Sequence, residues 1–165
     1  MPAEKKTNAA RILDRAKVRY RLVPYVVDEN NLAADHVAEQ LGEPIERVFK
    51  TLVLRGDRTG LFVCVIAGNR EVNLKKAAKV SGNKKAEMIH QKELLPLTGY
   101  IRGGCTAIGM KKEYPVFFSS EFCDFDRVYV SAGQRGLQLE VPPAEFMAVA
   151  RGTLADITDV NVDEV

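Results

Sequence analysis

The residues best suited to chemistry in this sequence fall in three stretches. The first is Val48-Phe49-Lys50-Thr51-Leu52-Val53. Side chains on a strand alternate between faces, which places Phe49, Thr51 and Val53 on one face and Val48, Lys50, Leu52 and Leu54 on the other. Lys50 thus stands in an otherwise apolar row. Such a lysine either runs its stem over apolar surface to solvent, or acts as a pocket cation that binds phosphate or polarises a carbonyl. The pattern leaves both open. The second stretch is Gly99-Tyr100-Ile101-Arg102-Gly103-Gly104-Cys105-Thr106-Ala107-Ile108-Gly109. Glycines let a backbone approach a ligand closely and turn N–H groups toward an anion. No Gly-Lys-Ser/Thr follows at phosphate-loop spacing, and no dinucleotide fingerprint is present; a glycine-containing turn is the plain alternative. The third is Ser131-Ala132-Gly133-Gln134-Arg135-Gly136-Leu137, a tight turn between two strands. Such turns often carry ligand contacts, or Arg135 is simply a solvated charge.

Conventional catalytic equipment is scarce. Three cysteines (Cys64, Cys105, Cys123) without CxxC spacing and two distant histidines (His36, His90) give no zinc set, no disulfide framework and no clear triad. Cys105 reads as a packed thiol, and the histidines as surface or capping residues. No metal and no cofactor are expected. With 24 basic and 22 acidic residues the net charge is +2, too small to coat nucleic acid by charge alone. Yet Lys75 to Lys92 holds six lysines and one glutamate, a local +5 that leaves −3 elsewhere. That stretch is either a solvated helix face or a landing surface for nucleic-acid phosphates.

These residues must be positioned by a single core. The chain has 165 residues, 46% hydrophobic and 28% charged, which fits one globular domain and argues against global disorder. No apolar run approaches the ~20 residues of a membrane span, and the start lacks the apolar core of a secretory signal. A cytoplasmic location with no membrane partner is expected. Thr7 can cap a first helix over Ala10, Ile12, Leu13 and Ala16. A strand follows over 21–27, then a helix ending at Gly42 and a helical turn after Pro44. Two strands (48–55 and 61–67) flank a hairpin-like connection, and Asn73 can cap a helix over 74–80. A short strand over 86–89 precedes a helix over 91–95 that Pro96 should stop. Strands over 115–119, 127–132 and 136–141 lead to a helix opened by Pro143. Four acids and no base follow Ala155, which predicts a frayed or surface-bound tail. The alternation lacks a strict βαβ rhythm, predicting an α+β fold with a mixed sheet or partly closed β-barrel and peripheral helices.

The ordered combination of motifs resembles one family. It comprises Tyr25, the Phe49-Lys50-Thr51-Leu52 strand, the Leu74-Lys75-Lys76-Ala77-Ala78-Lys79 helix and Lys84-Lys85-Ala86-Glu87-Met88. Then come Thr98-Gly99-Tyr100 with Gly103-Gly104, Gly109-Met110-Lys111-Lys112, Tyr129-Val130-Ser131 and Arg135-Gly136-Leu137. Over residues 8 to 157 the chain is similar to the YbaK/EbsC family, free-standing relatives of the editing domain of bacterial prolyl-tRNA synthetases. The resemblance implies one editing domain over residues 1–165, with an acidic tail over 158–165, and clearance of mischarged tRNA without membrane or cofactor. It implies deacylation of Cys-tRNA(Pro), with Cys-tRNA(Cys) as a second substrate, by attack of the substrate's own thiol on its ester carbonyl. No enzyme nucleophile is then needed. The implied partners are the acceptor end of aminoacylated tRNA and prolyl-tRNA synthetase in complex with it; oligomeric state is not implied.

Residue by residue, Lys50 matches the family's essential lysine, orienting the terminal adenosine or stabilising developing charge. Tyr25 matches a pocket-wall tyrosine and Thr51 a neighbouring polar group. Gly103 and Gly104 match a glycine pair facing the aminoacyl ester, and Ser131 and Arg135 the turn that closes the site. Two departures bear on amino-acid specificity: Thr106-Ala107 stands where many members have Ser-Pro, and Ala132 and Gln134 alter the turn. Losing proline frees φ and restores an N–H, while the Cβ of Ala132 disfavours positive φ. Two alternatives stay open: a non-catalytic module binding tRNA or a nucleotide, and a deacylase for another small amino acid such as alanine on proline tRNA.

Overall fold

A computed structural model describes residues 6–159. Its elements run α1 (Asn8–Arg15), β1 (Arg21–Pro24), α2 (Ala34–Leu41), β2 (Phe49–Gly56), β3 (Gly60–Ala67), α3 (Leu74–Ser81) and β4 (Ala86–Met88). They continue with α4 (Gln91–Thr98), β5 (Val116–Ser119), β6 (Val128–Gln134), β7 (Leu137–Val141), α5 (Pro143–Val149) and β8 (Thr153–Ala155). Local chemistry sets several boundaries. The Thr7 side chain accepts from Ala10 N at 3.2 Å and starts α1. Asn73 does the same for α3, while Gly42 and Gly82 end α2 and α3 in the left-handed region at φ 68° and 79°. Pro143 opens α5 at a position where its missing N–H costs nothing.

Five strands form one sheet in the order β4-β2-β3-β5-β8 and three form another, β1-β7-β6. β2 and β3 are an antiparallel hairpin in which Lys50 pairs with Ile66, and β5 joins β3 in parallel. The sheets meet at a parallel bridge between Val48 and Tyr129. Phe49, Val53, Val63, Phe118, Val130 and Leu139 belong to one core shared by both sheets. Leu54, Phe62, Cys64 and Ile66 form a second cluster with Ala77 of α3 and with Ile157. β3 thus packs on both faces, which is why it reads Leu-Phe-Val-Cys-Val-Ile-Ala without alternation.

The fold is mixed α+β as expected, with two separate sheets rather than a continuous closed ladder. Four further departures have physical causes. The first strand stops at Pro24, whose ring nitrogen cannot extend the ladder; Tyr25 N adds one bond to Gly136 O, and Val26 is then 72% exposed. Helix α4 runs through Pro96 to Thr98. The carbonyl that Pro96 leaves unserved belongs to Lys92, an exposed residue at the start of the helix, and Gly99 closes the helix onto Leu95 O. β8, parallel to β5, was not expected, because a three-residue strand has no periodicity to read. Of the acidic tail, Thr158 bridges to Val72 and Asp159 N bonds to Glu71 O, so it is held at least that far. Residues 160–165 lie outside the described residues. Among the described residues no helix is long and apolar enough to cross a membrane.

Candidate active site

Lys50 and Thr51 sit near the start of β2 and open into a cavity of about 670 Å³. Its walls come from the start of α2, the turn after β3 at Gly68-Asn69, the β4–α4 junction, Arg102 and Gly103 of the glycine-rich loop, and the β6–β7 ladder. The ammonium group of Lys50 donates to Gly68 O at 3.4 Å, a long bond that leaves its other protons free to meet a ligand. Gly68 has no room for a side chain, since a Cβ there would lie 2.6 Å from Ala34 Cβ. The first turn of α2 thus packs directly on the carbonyl that orients Lys50.

The glycine-rich loop is pinned from several sides. Tyr100 donates to Ile108 O at 2.6 Å, and Thr98 accepts from Tyr100 N at 3.1 Å. Gly103 adopts φ +85° and faces the cavity. Gly104 instead packs on the opposite turn: a Cβ there would stand 3.0 Å from Gln134 Cα. Arg135 Nε donates to Arg102 O at 2.8 Å, and its stem lies 3.4 Å from where a Gly103 Cβ would be. Arg135 therefore braces the loop. Ser131 reaches the cavity through a β-bulge: it pairs with Gln138, but Gln134 already pairs with Leu137, leaving Ala132 and Gly133 as extra residues. Its hydroxyl accepts from Gly133 N at 3.1 Å.

Of the residues singled out in the sequence, Lys50, Thr51, Gly103 and Ser131 share the cavity. Tyr25, Gly104 and Arg135 lie outside its lining. Tyr25 packs against the cluster of Val37, Ala38, Val48 and Tyr129, of which Val37 and Val48 line the cavity, so it stands behind the wall instead of in the lining. Several lining residues escaped sequence reading. Gln138 is only 5% exposed and its Oε1 has no hydrogen-bond partner among the described residues. Its sole signal is a polar residue in the Gly-Leu-Gln-Leu-Glu-Val strand. Asn69 and Arg102 gave none. His90 is at the rim as the N-cap of α4, where its backbone N–H donates to Glu93 Oε2 at 2.9 Å.

Electrostatics disfavour a protein thiolate. Burial pushes the Cys105 thiol up to about 12, and the Tyr100 hydroxyl likewise to about 12, with Cys105 adding to the second. A thiol so placed stays protonated near neutrality and is a poor nucleophile. Lys50 and Arg102 bring positive charge to the cavity; Asp35 and Glu71 bring negative charge. Such a lining suits a ligand that carries both a phosphate and an ammonium group. Among the described residues no three of His, Cys, Asp and Glu cluster as metal ligands.

Residues 28–149 match the family model described as the aminoacyl-tRNA editing domain. A protein of Enterococcus faecalis named "Putative Cys-tRNA(Pro)/Cys-tRNA(Cys) deacylase EbsC" is 48% identical over 155 residues, 94% of each chain. A proline–tRNA ligase of Thermosipho africanus is 31% identical over 53% of this chain but only 15% of its own length. A crystal structure titled as that of "a putative trans-editing enzyme for prolyl tRNA synthetase" superposes over 94% of this chain and 100% of its own, with a TM-score of 0.79 at 20% identity, a likeness of fold. The 48% identity to the Enterococcus protein over 94% of each chain and the span of the matched domain place this chain in the aminoacyl-tRNA editing domain family.

Proposed function

We propose that this protein is a trans-acting aminoacyl-tRNA deacylase that clears cysteine from mischarged proline tRNA, with Cys-tRNA(Cys) as a second substrate. The observation that carries this is the union of Lys50, Gly103 and Ser131 in one cavity that holds no activated nucleophile among the described residues. A volume of about 670 Å³ suits a terminal adenosine with a small aminoacyl group. Lys50 binds the adenosine phosphate or the developing carbonyl charge, and backbone donors near Gly103 hold the ester. Ser131 and Thr51 orient the sugar. The substrate thiol attacks its own carbonyl: a C–S bond forms, the ester C–O bond breaks, and the thiol proton ends on the released ribose oxygen. The product is a cyclic thiolactone. Holding thiol and carbonyl in attack geometry is the enzyme's main contribution, worth up to ~7–11 kcal/mol in well-oriented systems.

Two sheets meeting at the Val48–Tyr129 bridge support a partly closed barrel around the cavity floor. The core shared by both sheets supports a single editing domain. The acceptor end of tRNA enters the cavity in the cytoplasm, with prolyl-tRNA synthetase as the partner that delivers it. The decisive experiment is a panel of mischarged tRNAs. Cys-tRNA(Pro) should be cleared fastest, and a serine ester, isosteric but lacking the thiol, at least ~10²-fold more slowly. Equal clearance of serine or alanine esters would overturn thiol cyclisation, and no clearance of any ester would leave a binding module.

A further inference from the structure

We infer that the corner built by α3, the α3–β4 loop and the β2–β3 hairpin is a preformed docking surface for the phosphate backbone of tRNA, outside the catalytic cavity. This rests on the deacylase reading for the identity of the RNA. The sequence places six lysines between positions 75 and 92. The fold sorts them. Lys76 is committed: its ammonium group bonds Asp156 and Thr158 O, each at 3.0 Å, and so ties down the tail. Lys75, Lys79, Lys84 and Lys85 are exposed, and none has a side-chain ion pair or hydrogen bond among the described residues. Ala77 and Ala78 bury the inner face of α3, which turns Lys75 and Lys79 outward, one helical turn apart.

Lys92 lies apart on α4, and Lys84 and Lys85 are held by a network that a solvated face would not need. Asn83, 8% exposed, accepts from Arg58 N and Thr59 N, both at 2.8 Å, and donates to Thr59 Oγ1 and Ser81 Oγ. Asp57 accepts from the backbone N–H groups of Lys84 and Lys85 at 3.0 and 3.1 Å. The hairpin and the α3–β4 loop are thereby locked together, adding exposed Arg58 to the same corner. The nearby carboxylate of Asp57 is spent on backbone donors, which leaves Glu87 as the acid on β4. A cationic patch with a fixed backbone loses little entropy when phosphates arrive. Its direction also fits. From Lys85 the chain enters β4, whose Met88 lines the cavity, so patch and rim are about 10 Å apart along the strand.

The test uses the full chain and the quadruple variant Lys75→Ala, Lys79→Ala, Lys84→Ala, Lys85→Ala, with the matching Lys→Arg quadruple. Binding of uncharged, fluorescently labelled tRNA is followed by anisotropy between about 50 and 200 mM salt. Each lost phosphate contact lowers the salt slope by ~0.7–0.9. The alanine quadruple should lower it by about 3 and weaken binding ~10–100-fold, while the arginine quadruple keeps both. In parallel, deacylation of 3′-O-cysteinyl adenosine, which carries no backbone phosphate to meet the patch, should change less than ~2-fold, while KM for full-length Cys-tRNA rises. An unchanged slope overturns the inference. So does equal loss on cysteinyl adenosine and on full-length tRNA, or a loss seen only with prolyl-tRNA synthetase present, which would make the surface a protein contact. If wild type clears no ester, the deacylase reading fails, yet the binding arm still decides whether this corner holds RNA.

Discussion

Lys50 is a cation held by a single long bond to Gly68 O, half-buried in a row of apolar neighbours. That geometry supports little stability and much potential for ligand binding. Lys50→Ala should lower deacylation of cysteinyl-tRNA by ~10²–10³-fold, the usual cost of removing one group that stabilises developing charge. Thermal unfolding should barely move. A large drop in Tm with only a small loss of rate would remove Lys50 from the chemistry. Arg135 has the opposite profile. Its bond to Arg102 O braces the loop that presents Gly103, so Arg135→Ala should raise KM several-fold with a smaller effect on kcat. Lys50 could be read in the sequence because a charge in an apolar strand row is conspicuous. Gln138 could not, because its place in the cavity depends on the β6 bulge and on pairing with Ser131. The same bulge turns Ser131 inward and leaves Arg135 on the far side of the loop.

At the scale of elements, capping and glycine chemistry carried most of the reading. Thr7, Asn73, Gly42 and Pro143 each mark a real boundary. What stayed illegible was decided by neighbours: β8 exists only as a parallel partner of β5, and α4 continues through Pro96 to a buried Thr98 whose hydroxyl donates to Leu94 O. Two contacts between elements make predictions. Gly104 meets the backbone of Gln134 and Arg135, which cannot swing aside as a flexible side chain would. Gly104→Ala should therefore destabilise by about 1–3 kcal/mol, the range for overpacking, measurable by urea unfolding. Asp57 gives a pH dependence. The backbone N–H of Lys85, and next that of Lys84, hold its carboxyl below the usual carboxylate range. A depressed folded value contributes stability above the unfolded pKa of about 4, and that contribution is lost as pH falls through the folded value. Asp57→Ala should lower Tm at neutral pH, and the gap to wild type should close in acid. A gap constant from pH 7 to pH 2 would show that the carboxylate charge plays no part.

For the whole molecule, the terminal segment closes the second core and steadies the basic corner at the same time. Ile157 is fully buried against Leu54, Phe62, Cys64, Ile66 and Ala77, so it seals the outer face of β2 and β3 beneath α3. Around it, Asn73 N donates to Ile157 O at 2.8 Å, and Asn73 Nδ2 reaches Asp159 at 2.8 Å. Asn73 also caps α3, and Lys76 on that helix binds Asp156. The tail's acids thus neutralise one lysine of the helix while leaving its outward lysines unpaired among the described residues, and they fix that helix against the sheet that bears Lys50. Ile157→Ala removes a fully buried branched side chain and leaves a cavity among its neighbours, a change that costs about 2–5 kcal/mol. For a domain of this size that corresponds to a fall in Tm of roughly 4–20 °C. Because α3 rests on Ile157, the same variant should weaken tRNA binding more than it weakens turnover of 3′-O-cysteinyl adenosine, measured well below its Tm. A matched loss on both substrates would mean that the tail supports the cavity and the basic corner alike.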